Sequence, residues 1–240
     1  MEGLVWKLTK SKWVSSAEVQ RAMQSLKREH FVSKENALLA YDDRPLPIGH
    51  GQTISAPHVH ALALEVARET LARETLARET LARETTSPLR PTVDAWILDV
   101  GSGSGYLTGA FAALLKEMNI KGHVVGIERC KPLADQSKEN LANAGCAALL
   151  RSGAISIHCR SAFSYTSDHL FDFIHVGAAA NELPQNLVGL LRDGGRLLLP
   201  IGPNDEGGVQ EMSLVTKQGS SVEIKGLLQV RYVPLVEDAH

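Results

Sequence analysis

Two histidines, a serine and a threonine crowd into the nine residues TISAPHVHA, from Thr53 to Ala61. Residues of these types fit a catalytic segment, a metal site, or a loop that caps a helix. His58 and His60 stand two apart, which puts them on different faces of a helix, so a shared metal ion is not expected. Further on, Asp99 is followed by Gly101, Gly103 and Gly105 in GSGSG. Glycines are needed where a backbone turns with positive φ, or where a ligand lies against the chain with no Cβ between. Glu128 follows 23 residues after Gly105, at the end of a second apolar run.

An acid in that place can accept hydrogen bonds from both hydroxyls of a ribose and would repel a 2′-phosphate. The loop reads G-x-G-x-G rather than the G-x-G-x-x-G of dinucleotide enzymes. A plain strand-to-helix connector would also use such glycines. Together with Asp99 and Glu128, the loop favours an adenosine-type cofactor. The missing pyrophosphate spacing turns this from NAD toward S-adenosylmethionine (AdoMet), which has no pyrophosphate for a helix start to hold.

The elements that would position these residues follow from apolar patterning. AWILDV, HVVGIE, AISIHC, FDFIHVGAAA and RLLLPIG read as strands rich in Val, Ile and Leu. YLTGAFAALLKEM, KPLADQSKENLANAG and LPQNLVGLLRDGG read as the helices between them. Strand alternating with helix implies a parallel sheet covered on both faces. Two late strands, EMSLVTK and VEIKGLLQVRYVPL, imply an antiparallel edge. A helix is expected from Ala17 to Arg28, capped by Ser15 with Glu18 as its capping-box partner. The stretch Ala40–Gln52, with two prolines and two glycines, is expected to be irregular surface chain. A second helix should begin at Pro57, capped by Ser55 or Ala56.

That helix runs into a repeat, LARETLARETLARET. Glu69, Glu74 and Glu79 each precede an arginine by four positions (Arg73, Arg78, Arg83), the favourable order for helical ion pairs. Five residues advance a helix by roughly 500°, so Leu71, Leu76 and Leu81 spread around the cylinder instead of lining one face. The repeat therefore reads as an insertion over residues 67–86 that lengthens a largely exposed helix, ended by TTSPLRP.

The 240 residues are 44% hydrophobic and 22% charged, with a net charge of −2. That suits one soluble α/β domain and gives no field that would select polyanions, so nucleic acid is not an expected partner. Cys130, Cys146 and Cys159 lack C-x-x-C spacing, which fits a reducing compartment and no structural zinc. No apolar run reaches the length of a membrane span, and none near the start suits a secretion signal, so a cytoplasmic location is expected.

LPIGHGQTISAPHVHALALE, LDVGSGSGYLT, GHVVGIER, FDFIHVGAAA and LRDGGRLLLPIG together resemble the protein-L-isoaspartate (D-aspartate) O-methyltransferase family, from about Ser15 to Leu235. The resemblance implies a class I AdoMet-dependent methyltransferase, Rossmann-like, with a seven-stranded, mostly parallel sheet, an antiparallel edge and an N-terminal helical, substrate-side segment (1–56). It implies methylation of the α-carboxylate of L-isoaspartyl and D-aspartyl residues in damaged proteins and peptides. The product ester would collapse to a succinimide, and S-adenosyl-L-homocysteine (AdoHcy) would be left behind.

A carboxylate is already ionised at neutral pH, so it needs placement and desolvation rather than a base. Ser55 matches the family's active-site serine, with Thr53 beside it. Residues and resemblance together place Gln52, Thr53, Ile54, Ser55, His60, Asp99, Gly101, Ser102, Gly103 and Gly105 at the cofactor. Glu128, Arg129, Arg160 and Ser161 join them there. Asp43, Thr53, Ser55 and His175 are expected toward the substrate, with no metal, and a monomer is expected. One departure stands out: Arg160-Ser161 occupies the place of a usual Asp-Gly pair near the adenine, and Arg cannot accept the adenine amino hydrogen bond. A non-catalytic module that recognises carboxylates, or a class I methyltransferase with another substrate, are the competing readings.

Overall fold

The computed structural model describes residues 1–84, 94–203 and 208–236, with the side chains at 78, 79 and 81–84 outside the description. Helix α1 (Glu2–Lys10) buries Leu4, Val5 and Leu8, and α2 (Ala17–Ser25) buries Val19, Ala22 and Met23. Ser16, not Ser15, caps α2, its Oγ accepting the Val19 N–H at 3.4 Å. The reason lies in α3: Glu65 Oε1 accepts the backbone N–H of both Ser15 (2.7 Å) and Ser16 (2.8 Å), fixing the chain one residue later. Helix α2 also stops before Arg28, because Leu26 is extended and Arg28–Phe31 forms a separate 3₁₀ turn.

The stretch expected to be irregular contains a ribbon. Strands β1 (Leu46–Gly49) and β2 (Gln52–Ile54) pair antiparallel, Leu46 with Ile54 and Pro47 with Thr53. Leu46, Ile48 and Ile54 are buried while Pro47 and Gly49 face outward, a period of two that the prolines obscured. His50 (φ 53°) and Gly51 (φ 69°) make the turn.

Helix α3 (Pro57–Glu84) then crosses the sheet and carries on into the repeat. Leu71 is buried at 2% exposure and Leu76 stands 63% exposed, as the rotation per repeat requires. The expected Glu69–Arg73 pair is replaced by tertiary contacts. Glu69 Oε2 lies 3.3 Å from Arg196 Nη1, and Arg73 Nη2 donates to the Gly194 carbonyl at 2.7 Å. The first repeat is thus a docked element. The expected pairs Glu74–Arg78 and Glu79–Arg83, Leu81, and the TTSPLRP stop lie outside the described residues and side chains.

The main sheet has seven strands: β3 (Ala95–Val100), β4 (Gly122–Glu128), β5 (Ile155–Cys159), β6 (Phe171–Val176), β7 (Leu191–Ile201), β8 (Gln210–Gln218) and β9 (Ser221–Val230). Their order is β5-β4-β3-β6-β7-β8-β9, parallel through β7 and antiparallel at β8 and β9. The connecting helices are α4 (Tyr106–Glu117), α5 (Lys131–Leu141), α6 (Ala147–Ser152) and the five-residue α7 (Gln185–Gly189). Alternate β3 residues serve two cores. Ala95 and Ile97 pack with Ala63, Phe111 and Leu114 on the face that α3 and α4 cover, and Leu98 and Val100 pack with Leu187 and Leu191 on the other.

The residues Leu190–Gly195, expected to end a helix, belong mostly to β7. Gly194 has φ +80°, and a Cβ on Gly195 would lie 3.0 Å from the Phe171 carbonyl, so these glycines let β7 run close beside β6. They are strand glycines rather than helix stops.

Candidate active site

Strand order reverses at β3, whose neighbours β4 and β6 carry connections that leave in opposite directions. The crevice at the carboxyl ends of β3 and β6 is where such sheets bind ligands. Gly101, Gly103 and Gly105 all have positive φ (71°, 53° and 88°). A Cβ on Gly101 would lie 3.9 Å from the Gly177 backbone after β6, and one on Gly103 would lie 3.2 Å from Ile48 Cδ1. Bare backbone therefore forms the junction of β3, β6 and the β1–β2 ribbon.

Asp99 is buried and fully engaged. Its Oδ2 accepts Thr108 Oγ1–H at 2.6 Å, and its Oδ1 is 2.9 Å from His175 Nδ1. Strand register makes this contact, since Asp99 on β3 pairs with His175 on β6. Glu128, at the end of β4, accepts the Gly103 N–H (3.0 Å) and the Cys130 N–H (2.9 Å). It ties the glycine loop to the neighbouring strand end.

Ser55 sits between β2 and α3 with its Oγ 3.4 Å from Tyr232 Oη. Tyr232 follows β9 and is held by Gln210, whose Oε1 accepts the Tyr232 N–H at 2.7 Å and whose Nε2 donates to its carbonyl at 3.3 Å. Burial pushes the Tyr232 phenol up to about 12, against a smaller opposing effect of the Ser55 hydrogen bond. The phenol is therefore a hydroxyl at neutral pH. The segment beyond is pinned by the Ala179 N–H to the Val233 carbonyl (2.8 Å) and the Leu235 N–H to the Ala179 carbonyl (2.7 Å).

Beneath Ser55 is a buried polar group. Arg28 Nη2 donates to the Ser55 carbonyl at 2.8 Å, and Nη1 lies 3.2 Å from His60 Nδ1. The guanidinium carbon stands 5.5 Å from the Tyr106 ring centroid, and His60 packs on the same ring at 5.0 Å. Burial, and then the Arg28 charge, hold the His60 imidazole well below its usual range, so it is neutral at pH 7. As Arg28 can only donate, Nδ1 of His60 accepts and Nε2 carries the proton.

A cleft of about 990 Å³ opens over this floor. Gln52, Thr53, Ser55, Gly101, Gly103, Glu128, Arg129 and Arg160 line it. Ser55, Thr53, Gly101 and Gly103 also border a recess of about 40 Å³ behind, which Ile54, His60, Asp99, Ser102 and His175 complete. Three expected site residues line neither. Gly105 packs against α5, where a Cβ would meet Ser137 Cβ at 3.1 Å. Ser161 is buried with its Oγ accepting the Phe163 N–H at 3.3 Å. Asp43 Oδ1 accepts the His58 N–H and faces His58 Nδ1, each at 2.9 Å, so Asp43 caps α3 where Ser55 or Ala56 was expected to. Tyr232, Gln210 and Arg28 were not read from the sequence. Tyr232 and Gln210 come together only through the β8–β9 hairpin, and Arg28 sits in an ordinary amphipathic stretch.

The residues fit AdoMet. The glycine wall has no side chains to displace, and each Glu128 oxygen keeps a lone pair after its one N–H contact, free for a ribose hydroxyl. Arg160, exposed on the cleft wall, offers donors only. Sheet order, glycine-lined crevice and acid at the second strand end define a class I AdoMet-dependent methyltransferase. Within that class, the model of the protein-L-isoaspartate(D-aspartate) O-methyltransferase family matches residues 1–240, and the chain belongs to this family.

Among its relatives is protein-L-isoaspartate O-methyltransferase 2 of Arabidopsis thaliana, 36% identical over 97% of this chain and 67% of the relative. The protein-L-isoaspartate O-methyltransferase of Methanoculleus marisnigri is 35% identical over 95% of this chain and 87% of its own length. A Plasmodium falciparum crystal structure, described as such a methyltransferase with S-adenosyl-L-homocysteine, superposes with a TM-score of 0.79 at 30% identity. It covers 99% of this chain and 98% of that one. The chain is thus an AdoMet-dependent enzyme of isoaspartyl methylation, with AdoHcy as the product form of its cofactor.

Proposed function

We propose that the Ser55–Tyr232 hydroxyl pair holds the α-carboxylate of an L-isoaspartyl or D-aspartyl residue at the mouth of the recess. The observation that carries this reading is the position of Ser55, which lines both the cleft and the recess while its Oγ meets Tyr232 Oη. AdoMet, when bound, supplies a methyl group activated by its sulfonium. Gly101, Gly103 and Glu128 form the wall that takes its adenosine part, with Gln52, Thr53, Ile54 and Arg129 around it. Ser102, His60 and Asp99 face the recess, and Asp99 holds His175 in one orientation. Arg160 contributes its aliphatic stem and backbone to the adenine end, in place of an acceptor.

The carboxylate arrives ionised, so Ser55 and Tyr232 act as donors and not as bases. Two hydroxyls grip it without cancelling its charge, which keeps one carboxylate oxygen nucleophilic. The methyl ester then closes to a succinimide: the following backbone nitrogen attacks the ester carbonyl, methoxide leaves as methanol with the nitrogen's proton, and water opens part of the succinimide to aspartate. Ser161 and Gly105 support this site through packing, and Asp43 acts on the substrate side through α3. The chain works as one unit on damaged proteins and peptides, as a monomer in the cytoplasm, with no role for nucleic acid. Among the described residues no helix is long and apolar enough to cross a membrane.

Mass spectrometry of an isoaspartyl peptide incubated with the chain and AdoMet tests this. A methyl ester, then a succinimide, then an aspartyl peptide should follow in that order. Unaltered peptide in the presence of bound AdoMet would overturn the reading.

A further inference from the structure

Arg28, 0% exposed, carries a buried charge with no ion-pair partner among the described residues. Among the described residues its Nε has no hydrogen-bond partner. Burial lowers the guanidinium only to about 10, so it stays protonated at neutral pH. Proteins seldom bury a cation this way, since its desolvation is costly when no paired anion offsets it. Asp43 favours the charged guanidinium from a distance but makes no ion pair with it, and its Oδ1 accepts the His58 N–H and faces His58 Nδ1. His60 is neutral, and the phenols of Tyr106 and Tyr232 are both raised to about 12 by burial.

The charge lies one hydrogen bond from the peptide of Ser55, the residue that borders both cavities. We infer that Arg28 is an electrostatic positioning residue that, having no ion pair of its own, draws the substrate's carboxylate to Ser55 by a charge the carboxylate never touches. This rests on the reading of Ser55 given above. A cation held behind a carbonyl cannot clamp the carboxylate in a tight ion pair, which would blunt it as a nucleophile. The carboxylate loses negative charge as the methyl group arrives, so the field of Arg28 favours the bound carboxylate at least as much as the transition state, and its benefit falls on binding.

Calorimetry on the full chain with AdoHcy separates charge from packing. The probes are an isoaspartyl peptide and its twin with an α-carboxamide. Arg28→Gln keeps a donor for the Ser55 carbonyl but removes the charge. It should weaken the carboxylate peptide about tenfold, as expected for a partly screened buried charge, and leave the amide twin unchanged. Arg28→Lys should restore binding to within about threefold of wild type. In steady state the Gln variant should show the loss in KM, with kcat unchanged or slightly raised.

Equal affinity of wild type and a folded Gln variant for the carboxylate peptide would overturn the inference, as would an equal loss for the amide twin. Should the Gln variant fail to fold, a folded Lys variant decides. Retained preference for carboxylate over amide supports the role, and loss of that preference refutes it. A wild-type chain that binds both twins alike would instead refute the reading of Ser55 itself.

Discussion

Ser55 and Tyr232 lie 177 residues apart in the chain and meet at 3.4 Å. Each can donate one hydrogen bond to an anion. Ser55→Ala should retain AdoHcy affinity in calorimetry and raise the barrier to methyl transfer by about 1.5–3 kcal/mol, the range of a hydrogen bond to a charged group. Equal loss of cofactor affinity and rate would mean that Ser55 only shapes the cofactor pocket. Tyr232→Phe removes one donor and leaves the ring, so a several-fold fall in kcat/KM with unchanged melting temperature is expected. Much of this site is legible in the sequence, because Ser55, Asp99, the glycines and Glu128 sit in short runs whose spacing has a physical reason. Tyr232 and Arg28 are not, because what brings them to Ser55 is a contact across the fold. Asp43 and Ser161 show the reverse case: polar residues in promising places that spend their acceptors on the protein's own backbone.

Elements explain why the positions of these residues are stable. The β1–β2 ribbon presses Ile48 onto the glycine loop, and a Cβ at Gly103 would stand 3.2 Å from Ile48 Cδ1 in a backbone with φ +53°. Gly103→Val should therefore abolish AdoHcy binding by calorimetry, and lower stability by roughly 1–2 kcal/mol for the left-handed backbone alone. The repeat offers a paired test, since Leu71 and Leu76 share the same local sequence. Leu71→Ala should cost about 2–5 kcal/mol in denaturant unfolding, and Leu76→Ala about 0.5 kcal/mol or less. Strand and helix order was readable from apolar period. The ribbon was not, because Pro and Gly masked its alternation, and neither was the start of β7, because paired glycines look like a helix stop. The docking of the first repeat was hidden for another reason: local i,i+4 logic cannot see that Arg196 and Gly194 compete for the same side chains.

At the scale of the whole molecule, the buried His60 links stability to pH. Its folded imidazole is depressed below the unfolded value of 6.5. The unfolded chain therefore binds the extra proton first, and stability falls as pH drops below 6.5 toward the lower folded value. Above 6.5 both states are neutral at this site and the contribution is constant. Melting temperature should decline on acidification through that window, and less so in a folded His60→Asn variant. A parallel decline in both proteins would assign the effect elsewhere.

Selection by this cleft of a carboxylate placed by an isoaspartyl linkage, and its methylation by position alone, can be put to one test. The direct measurement is transfer of labelled methyl from AdoMet to an isoaspartyl peptide beside its aspartyl twin of identical composition. Base-labile label should appear on the isoaspartyl peptide and little on the aspartyl one. Equal labelling of the two, or none on either with AdoMet demonstrably bound, would contradict it.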